Sequence, residues 1–207
     1  MTFVFILTSL GIFGLIHSLL AGRDVKGRFH AWLGERRYEA FYRFGYNVLA
    51  GIMLLPVGAA LLLAPGEIIW QVDSPLLALV MNAIRLAGAL GLLVSLLQID
   101  LMRFVGLAQV RAYIQGEPLP LPDEPLQTGG FYSRVRHPLY FFSLLALWPA
   151  ATMTEALLAL NIGSTAYFII GSLFEEKRLL RTFGSQYADY KQRVPWMFPR
   201  FRRRSHI

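Results

Sequence analysis

Arg136-His137-Pro138-Leu139-Tyr140 opens a short apolar stretch, and Glu175-Glu176 closes the next one. Folded back as a helical hairpin, the two stretches bring one guanidinium, one imidazole, one phenol and two carboxylates to a single membrane face. Groups of this kind are costly at membrane depth, and they mark a site more often than decoration. Gly129-Gly130 just upstream permits a tight turn and a close backbone approach to a ligand. Pro138 suits the first turn of a helix, where its missing N–H costs nothing. Free N–H groups at that helix start could bind a carboxylate, as could Arg136. Adjacent glutamates on a helix point about 100° apart. One of Glu175 and Glu176 can therefore face the site while the other pairs with Arg178 or Arg181. A carboxylate here could hold an amino group or ribose hydroxyls. Each residue alone also fits an interfacial role, with Tyr140 in an aromatic belt. The whole string, with the glutamate pair one hairpin later, favours a site.

The elements that position these groups are apolar. The chain has 207 residues, 55% apolar and 16% charged, a composition that fits an integral membrane protein better than a soluble domain. At roughly 20 residues per span, the length accommodates an all-α bundle of about five transmembrane helices in a single membrane domain, 1–207. It divides into a three-span N-terminal half, 1–99, and a cofactor-binding half, 100–207. There is no cysteine, which excludes disulfides, thiolate nucleophiles and Cys-ligated metals; no metal site is expected. The net charge of +7 does not indicate nucleic acid, because the basic residues flank apolar spans instead of lining a soluble face. They read as topology signals and as contacts to anionic membrane lipids.

Thr2 to Leu20 is the first expected span, retained because no basic region precedes it and its apolar run is long for a signal peptide. A basic connector holds Arg23, Lys26, Arg28, Arg36 and Arg37. The second span runs from about Phe41 to Ala64 and should bend at Pro56. A loop without Lys or Arg, from Pro65 to Pro75, leads to a third span from about Leu76 to Ile99. From Asp100 to Val135 the apolar signal lapses, and Pro118, Pro120, Pro122 and Pro125 mark a turning surface segment. Leu139 to Met153 is a fourth apolar stretch, short for a full span, and Ala156 to Phe174 is the fifth. The tail is basic and aromatic, ending Arg200-Phe201-Arg202-Arg203-Arg204. By the positive-inside rule the basic parts are cytoplasmic. This gives an inner-membrane protein with its N-terminus out, its C-terminus in, and His137 and Glu175-Glu176 in a cytoplasmic pocket.

Arg-His-Pro-x-Tyr, a hairpin, Glu-Glu-x-x-Leu (Glu175 to Leu179) and Phe183-Gly184-x-x-Tyr187-x-x-Tyr190 together resemble the cofactor half of the isoprenylcysteine carboxyl methyltransferase and phospholipid methyltransferase superfamily. Its members are integral membrane enzymes that use S-adenosylmethionine. The resemblance covers roughly Gln127 to Pro195. It implies that His137, Tyr140 and one or both of Glu175 and Glu176 contact the cofactor, with Arg136 nearby. Ile16-His17-Ser18-Leu19-Leu20-Ala21, Tyr42-Arg43-x-x-Tyr46-Asn47-x-Leu49-Ala50 and Asp100 followed by Gly106-Leu107-x-Gln109-Val110 are similar to bacterial methanethiol S-methyltransferases and the related NnrU-type membrane proteins. Thr152-Met153-Thr154 points the same way.

The chemistry of a sulfonium methyl donor is in-line displacement. The donor brings its own leaving group, so the protein must align a nucleophile and exclude water, and positioning supplies much of the rate. An apolar or volatile thiol can partition from lipid while the charged cofactor enters from the cytoplasm. His17, Asn47, Asp100 and Gln109 are the polar candidates on the substrate side. His17 or Asp100 could serve as base, since a thiol needs only modest help to ionise, and Asn47 and Gln109 could contact the acceptor. Arg85 lies within the third span, where pairing or snorkelling is expected. Two further readings compete with a small-thiol methyltransferase. One keeps the reaction but takes a prenylated cysteine carboxylate or a phospholipid amine as acceptor. The other is a non-catalytic NnrU-like membrane protein.

Overall fold

The computed structural model describes residues 1–200; the expected basic run from Phe201 to Arg204 lies outside them. Four helices are long and apolar enough to cross a membrane: α1 (Thr2–Ala21), α3 (Glu35–Leu63), α4 (Pro75–Leu97) and α8 (Glu155–Phe183). The remaining elements are α2 (Arg23–Leu33), β1 (Ile68–Gln71), α5 (Leu101–Val105), α6 (Leu107–Gln115), α7 (Pro138–Leu147), β2 (Thr152–Thr154) and α9 (Ser185–Arg193), with a 3-10 turn at Gly130–Ser133. The protein is an all-α membrane protein apart from the short β1–β2 pair. Large apolar side chains such as Leu55, Leu62, Leu63 and Leu79 are exposed on the long helices, which is where a bilayer rather than a protein core covers them.

Local sequence explains the breaks. Ser74 caps α4 by accepting from the Leu77 N–H, with Pro75 in the first helical position. Asp100 caps α5 through the Arg103 N–H at 3.0 Å. Gly106 then separates α5 from α6 at φ 94°, a left-handed conformation that favours glycine.

Three expectations change. The fourth apolar stretch is not one continuous membrane-crossing helix: α7 is ten residues long and rises only about 15 Å, half of a bilayer core. Pro149 follows its end, and the chain then extends into β2, which pairs antiparallel with β1. β1 itself falls within the segment expected to be loop. The fifth span also runs on. Glu175 and Glu176 lie inside α8, not at its end, because the Glu-Glu-Lys-Arg-Leu-Leu-Arg sequence is made of strong helix formers.

The chain forms two compact units. The first comprises Met1–Asp73, Asp100–Glu124 and Ala151–Tyr167. Its core gathers Ile6, Val57, Ala60, Ala156 and Ala159, flanked by Leu7, Leu10 and Leu160. Within it α3 acts as a spine. Tyr42 and Tyr46 donate to the Leu20 and His17 carbonyls at 2.6 and 3.4 Å, tying down the last turn of α1. Arg43 and Asn47 donate to the Arg103 and Phe104 carbonyls at 3.2 and 3.1 Å, tying down the end of α5. The second unit comprises Ser74–Ile99, Pro125–Ala150 and the described residues from Phe168 on. In it α4 and α7 pack closely through Gly88, where an added Cβ would collide with the Ala146 backbone, and Gly91, where it would collide with the Phe142 ring.

Candidate functional site

The second unit assembles the titratable residues expected at the hairpin mouth. His137 is the residue before α7 and is 5% exposed. Its Nδ1 lies 3.5 Å from Glu175 Oε2 and its Nε2 lies 3.4 Å from Glu176 Oε1. The Tyr140 hydroxyl donates to Glu175 Oε2 at 3.1 Å. Three rings stack in a ladder, His137 on Tyr140 at 5.4 Å and Tyr140 on Phe168 at 4.9 Å. Five predicted residues, Arg136, His137, Tyr140, Glu175 and Glu176, therefore converge on one set of contacts.

The two carboxylates have different surroundings. Glu176 is buried. It binds Arg136 Nη2 and Lys191 Nζ at 2.6 Å each, and accepts from Arg136 Nε at 2.7 Å. Glu175 is one-third exposed; apart from His137 and Tyr140 it meets Arg178 at 3.9 Å. So Glu176 is a saturated internal hub, and Glu175 is the carboxylate with room for another donor.

Arg136 is committed as well. Its Nη1 donates to the Lys191 and Val194 carbonyls at 2.8 and 2.9 Å, in addition to the Glu176 contacts. It clamps the end of α9 onto α7 and α8, with one of its five N–H groups left over. The expected free amides at the start of α7 are partly taken. The Arg136 N–H donates to the Pro195 and Trp196 carbonyls at 2.9 Å, and the His137 N–H to Trp196 at 3.2 Å.

Lys191 and Trp196 carry no sequence signature that singles them out. Trp196 donates its indole N–H to Ser172 at 3.1 Å, and Tyr190 donates to the Tyr132 carbonyl at 2.6 Å. These contacts close the C-terminal segment over the glutamate pair. Burial, reinforced by the Glu175 charge, pushes the Tyr132 phenol up to about 12. Burial also raises Tyr187, helped by the Glu176 charge, and raises Tyr190. All three stay neutral at ordinary pH. A shallow cavity of about 200 Å³ beside Glu176 is lined by Leu173, Lys177, Leu180 and Lys191.

The substrate-side candidates lie in the first unit. His17 sits among aromatic rings, Tyr46 at 4.2 Å, Phe13 at 5.1 Å and Tyr167 at 6.3 Å. Asn47 donates to the Arg43 and Phe104 carbonyls, and Gln109 Nε2 to the Arg103 carbonyl at 3.3 Å. Among the described residues Gln109 Oε1 is buried without a partner. Asp100 caps α5, lies 3.6 Å from Arg103 Nε, and is about half exposed. Asn47, Asp100 and Gln109 are thus drawn together around the α5 turn, and His17 belongs to a separate aromatic cluster.

No protein-family model matches the chain, and no solved structure matches it. It is 30% identical over 190 residues to Methanethiol S-methyltransferase 1 of Bradyrhizobium diazoefficiens, covering 92% of this chain and 64% of the relative. It is 30% identical over 193 residues to Methanethiol S-methyltransferase of Mycobacterium tuberculosis, covering 93% and 76%. Methanethiol S-methyltransferase 2 of Bradyrhizobium diazoefficiens is 31% identical over 191 residues, with 92% and 71% covered. The chain thus spans about two thirds to three quarters of the length of these relatives.

Proposed function

The chain belongs to the methanethiol S-methyltransferase family, and we propose that it is an integral membrane methyltransferase that moves a methyl group from S-adenosylmethionine to a small thiol such as methanethiol. The observation that carries the reading is the Arg136–His137–Tyr140–Glu175–Glu176 constellation. Its donor set fits the cofactor. The half-open Glu175 carboxylate suits an ammonium or ribose hydroxyls, the exposed Arg178 suits a carboxylate, and the stacked rings suit an aromatic base. S-adenosylmethionine, when bound, supplies an electrophilic methyl on a sulfonium that departs as a neutral thioether.

The chain's own residues orient and dry the site. Tyr140 and His137 hold Glu175 in one rotamer from two sides. Glu176, Arg136 and Lys191 fix the wall behind it. On the acceptor side we assign the base to His17. No hydrogen bond occupies either of its ring nitrogens among the described residues, and its aromatic neighbours offer the sulfur–ring contacts that a thiol makes favourably. The imidazole takes the thiol proton as the sulfur becomes a thiolate nucleophile. Asn47, Asp100 and Gln109 lie in the same unit as His17 and are proposed to contact the acceptor, with Gln109 Oε1 as a spare acceptor among the described residues. The cofactor side faces the cytoplasm of a bacterial inner membrane and the N-terminus lies outside, a reading supported by the Lys/Arg asymmetry.

Labelled-methyl transfer tests the assignment. Methanethiol should be methylated in preference to a prenylcysteine analogue or phosphatidylethanolamine, and His137→Ala or Glu175→Ala should weaken binding of the cofactor or its demethylated product. A preference for either lipid-linked acceptor replaces the thiol reading. A wild-type protein that binds no cofactor favours the non-catalytic alternative.

A further inference from the structure

Arg85 sits ten residues into α4. At about 1.5 Å per residue that is about 15 Å from the helix start, near the middle of a bilayer core about 30 Å thick. A guanidinium at that depth demands compensation. Among the described residues no carboxylate pairs with it; its Nε donates to the Ala146 carbonyl at 3.1 Å. Ala146 lies in the last turn of α7, the helix that stops halfway through the membrane. The last carbonyls of a helix lack intrahelical partners and carry the negative end of its dipole. In a bilayer core no water satisfies them. The part-buried cation and the Ala146 carbonyl at the helix end therefore compensate each other.

The same face of α4 continues toward the site. Gly88 meets the Ala146 backbone, and Gly91 meets the Phe142 ring. At the far end, Gln98 Oε1 accepts from the Phe131 N–H at 2.9 Å, and the Gln98 carbonyl accepts from Gln127. Gly130 packs directly on the Gln98 amide. Residues 85, 88, 91 and 98 form one stripe that grips α7 at its end, at its middle and at the turn leading into it.

We propose that Arg85 is a positioning residue for the cofactor cradle: by holding the Ala146 carbonyl it sets how far α7 lies along α4, and so where His137 and Tyr140 stand at the opposite end of α7. Gly88 and Gly91 provide close packing and Gln98 holds the turn before α7; the directional Arg85 bond fixes the register at the other end of the helix. The role rests on the cofactor reading of the His137–Glu175 site.

The test compares Arg85→Met, Arg85→Gln and Arg85→Lys. Methionine fills similar space and is more comfortable in lipid, so a bare insertion penalty cannot explain a loss. The affinity for S-adenosylhomocysteine should fall at least fivefold in Arg85→Met, less in Arg85→Gln, and return to within twofold in Arg85→Lys, with KM for the thiol unchanged. The register is read separately. The chain has no cysteine, so spin labels at Leu90→Cys and Ser143→Cys report one α4–α7 distance. A single narrow distribution is expected in the wild type and Arg85→Lys, and a broadened or shifted one in Arg85→Met. An unchanged distribution in Arg85→Met overturns the proposal, as does an unchanged cofactor affinity. A wild type that binds no cofactor but shows the shifted distance in Arg85→Met retires the cradle reading alone and leaves the register role supported.

Discussion

Two neighbouring glutamates should give opposite phenotypes. Glu176→Gln keeps the shape and removes the charge that holds Arg136 and Lys191 at 2.6 Å. The Arg136 side chain is 9% exposed, so it cannot turn to water for compensation. Removing one partner of a buried pair costs about 3–5 kcal/mol. Lys191 is half exposed, and its share is small. At about 2–4 °C per kcal/mol for a chain of this size, the melting temperature should fall by about 6–20 °C. Glu175→Gln retains an oxygen that accepts from Tyr140, and the residue is one-third exposed, so stability should change by less than about 1 kcal/mol. A charge-assisted hydrogen bond to a cofactor group is worth about 1.5–3 kcal/mol, which is about a ten- to hundredfold rise in Kd. Thermal melts in detergent and calorimetry with S-adenosylhomocysteine read the two effects separately. If Glu175→Gln melts early while Glu176→Gln loses only affinity, the division of labour is wrong. If Glu176→Gln melts within about 2 °C of wild type, the buried-hub energetics is wrong.

His17→Gln should lower turnover by about a hundredfold or more and leave cofactor affinity within about twofold; equal losses in both would remove His17 from the base role. The rate should rise with pH through ionisation of the thiol–base pair. Tyr132, held at about 12 by burial and by the Glu175 charge, should add no inflection to that profile below about pH 10. Asp100→Asn should leave both melting and turnover near wild type, because asparagine caps a helix as well as aspartate does; a large loss of turnover at normal stability would transfer the base role to Asp100. Gly106→Ala should destabilise the protein by at least about 1–2 kcal/mol, since residue 106 has φ 94° and an added Cβ would strike the Phe44 backbone; a melt equal to wild type would contradict that packing.

Contiguous features of this site were readable, and distant ones were not. The Arg136–Tyr140 string and the glutamate pair are short runs dense in groups that are costly in lipid, so together they point to a candidate site. The long helices follow from apolar length in the same way. The half-length of α7 was only partly visible, because Leu139 to Met153 is apolar throughout; Pro149 and the pairing of β2 with β1 decide where the helix stops. The motif resemblance likewise pointed to Asn47, Asp100 and Gln109 without showing that backbone carbonyls and a helix cap occupy most of their polar groups.

The choice between Glu175 and Glu176 marks the limit most clearly. Both have the same chemistry, both lie in one helix, and the angle between them says only that they face different ways. What separates them is the segment from α9 to Trp196, whose carbonyls draw Arg136 toward the helix and whose Lys191 closes on Glu176. Carbonyls belong to every residue type, so a clamp built from them leaves no pattern in the sequence. A carboxylate enclosed by such a clamp has spent its acceptor capacity inside the protein. Its neighbour, held by one phenol, one imidazole and the exposed Arg178 and one-third exposed itself, keeps the capacity to recognise a ligand.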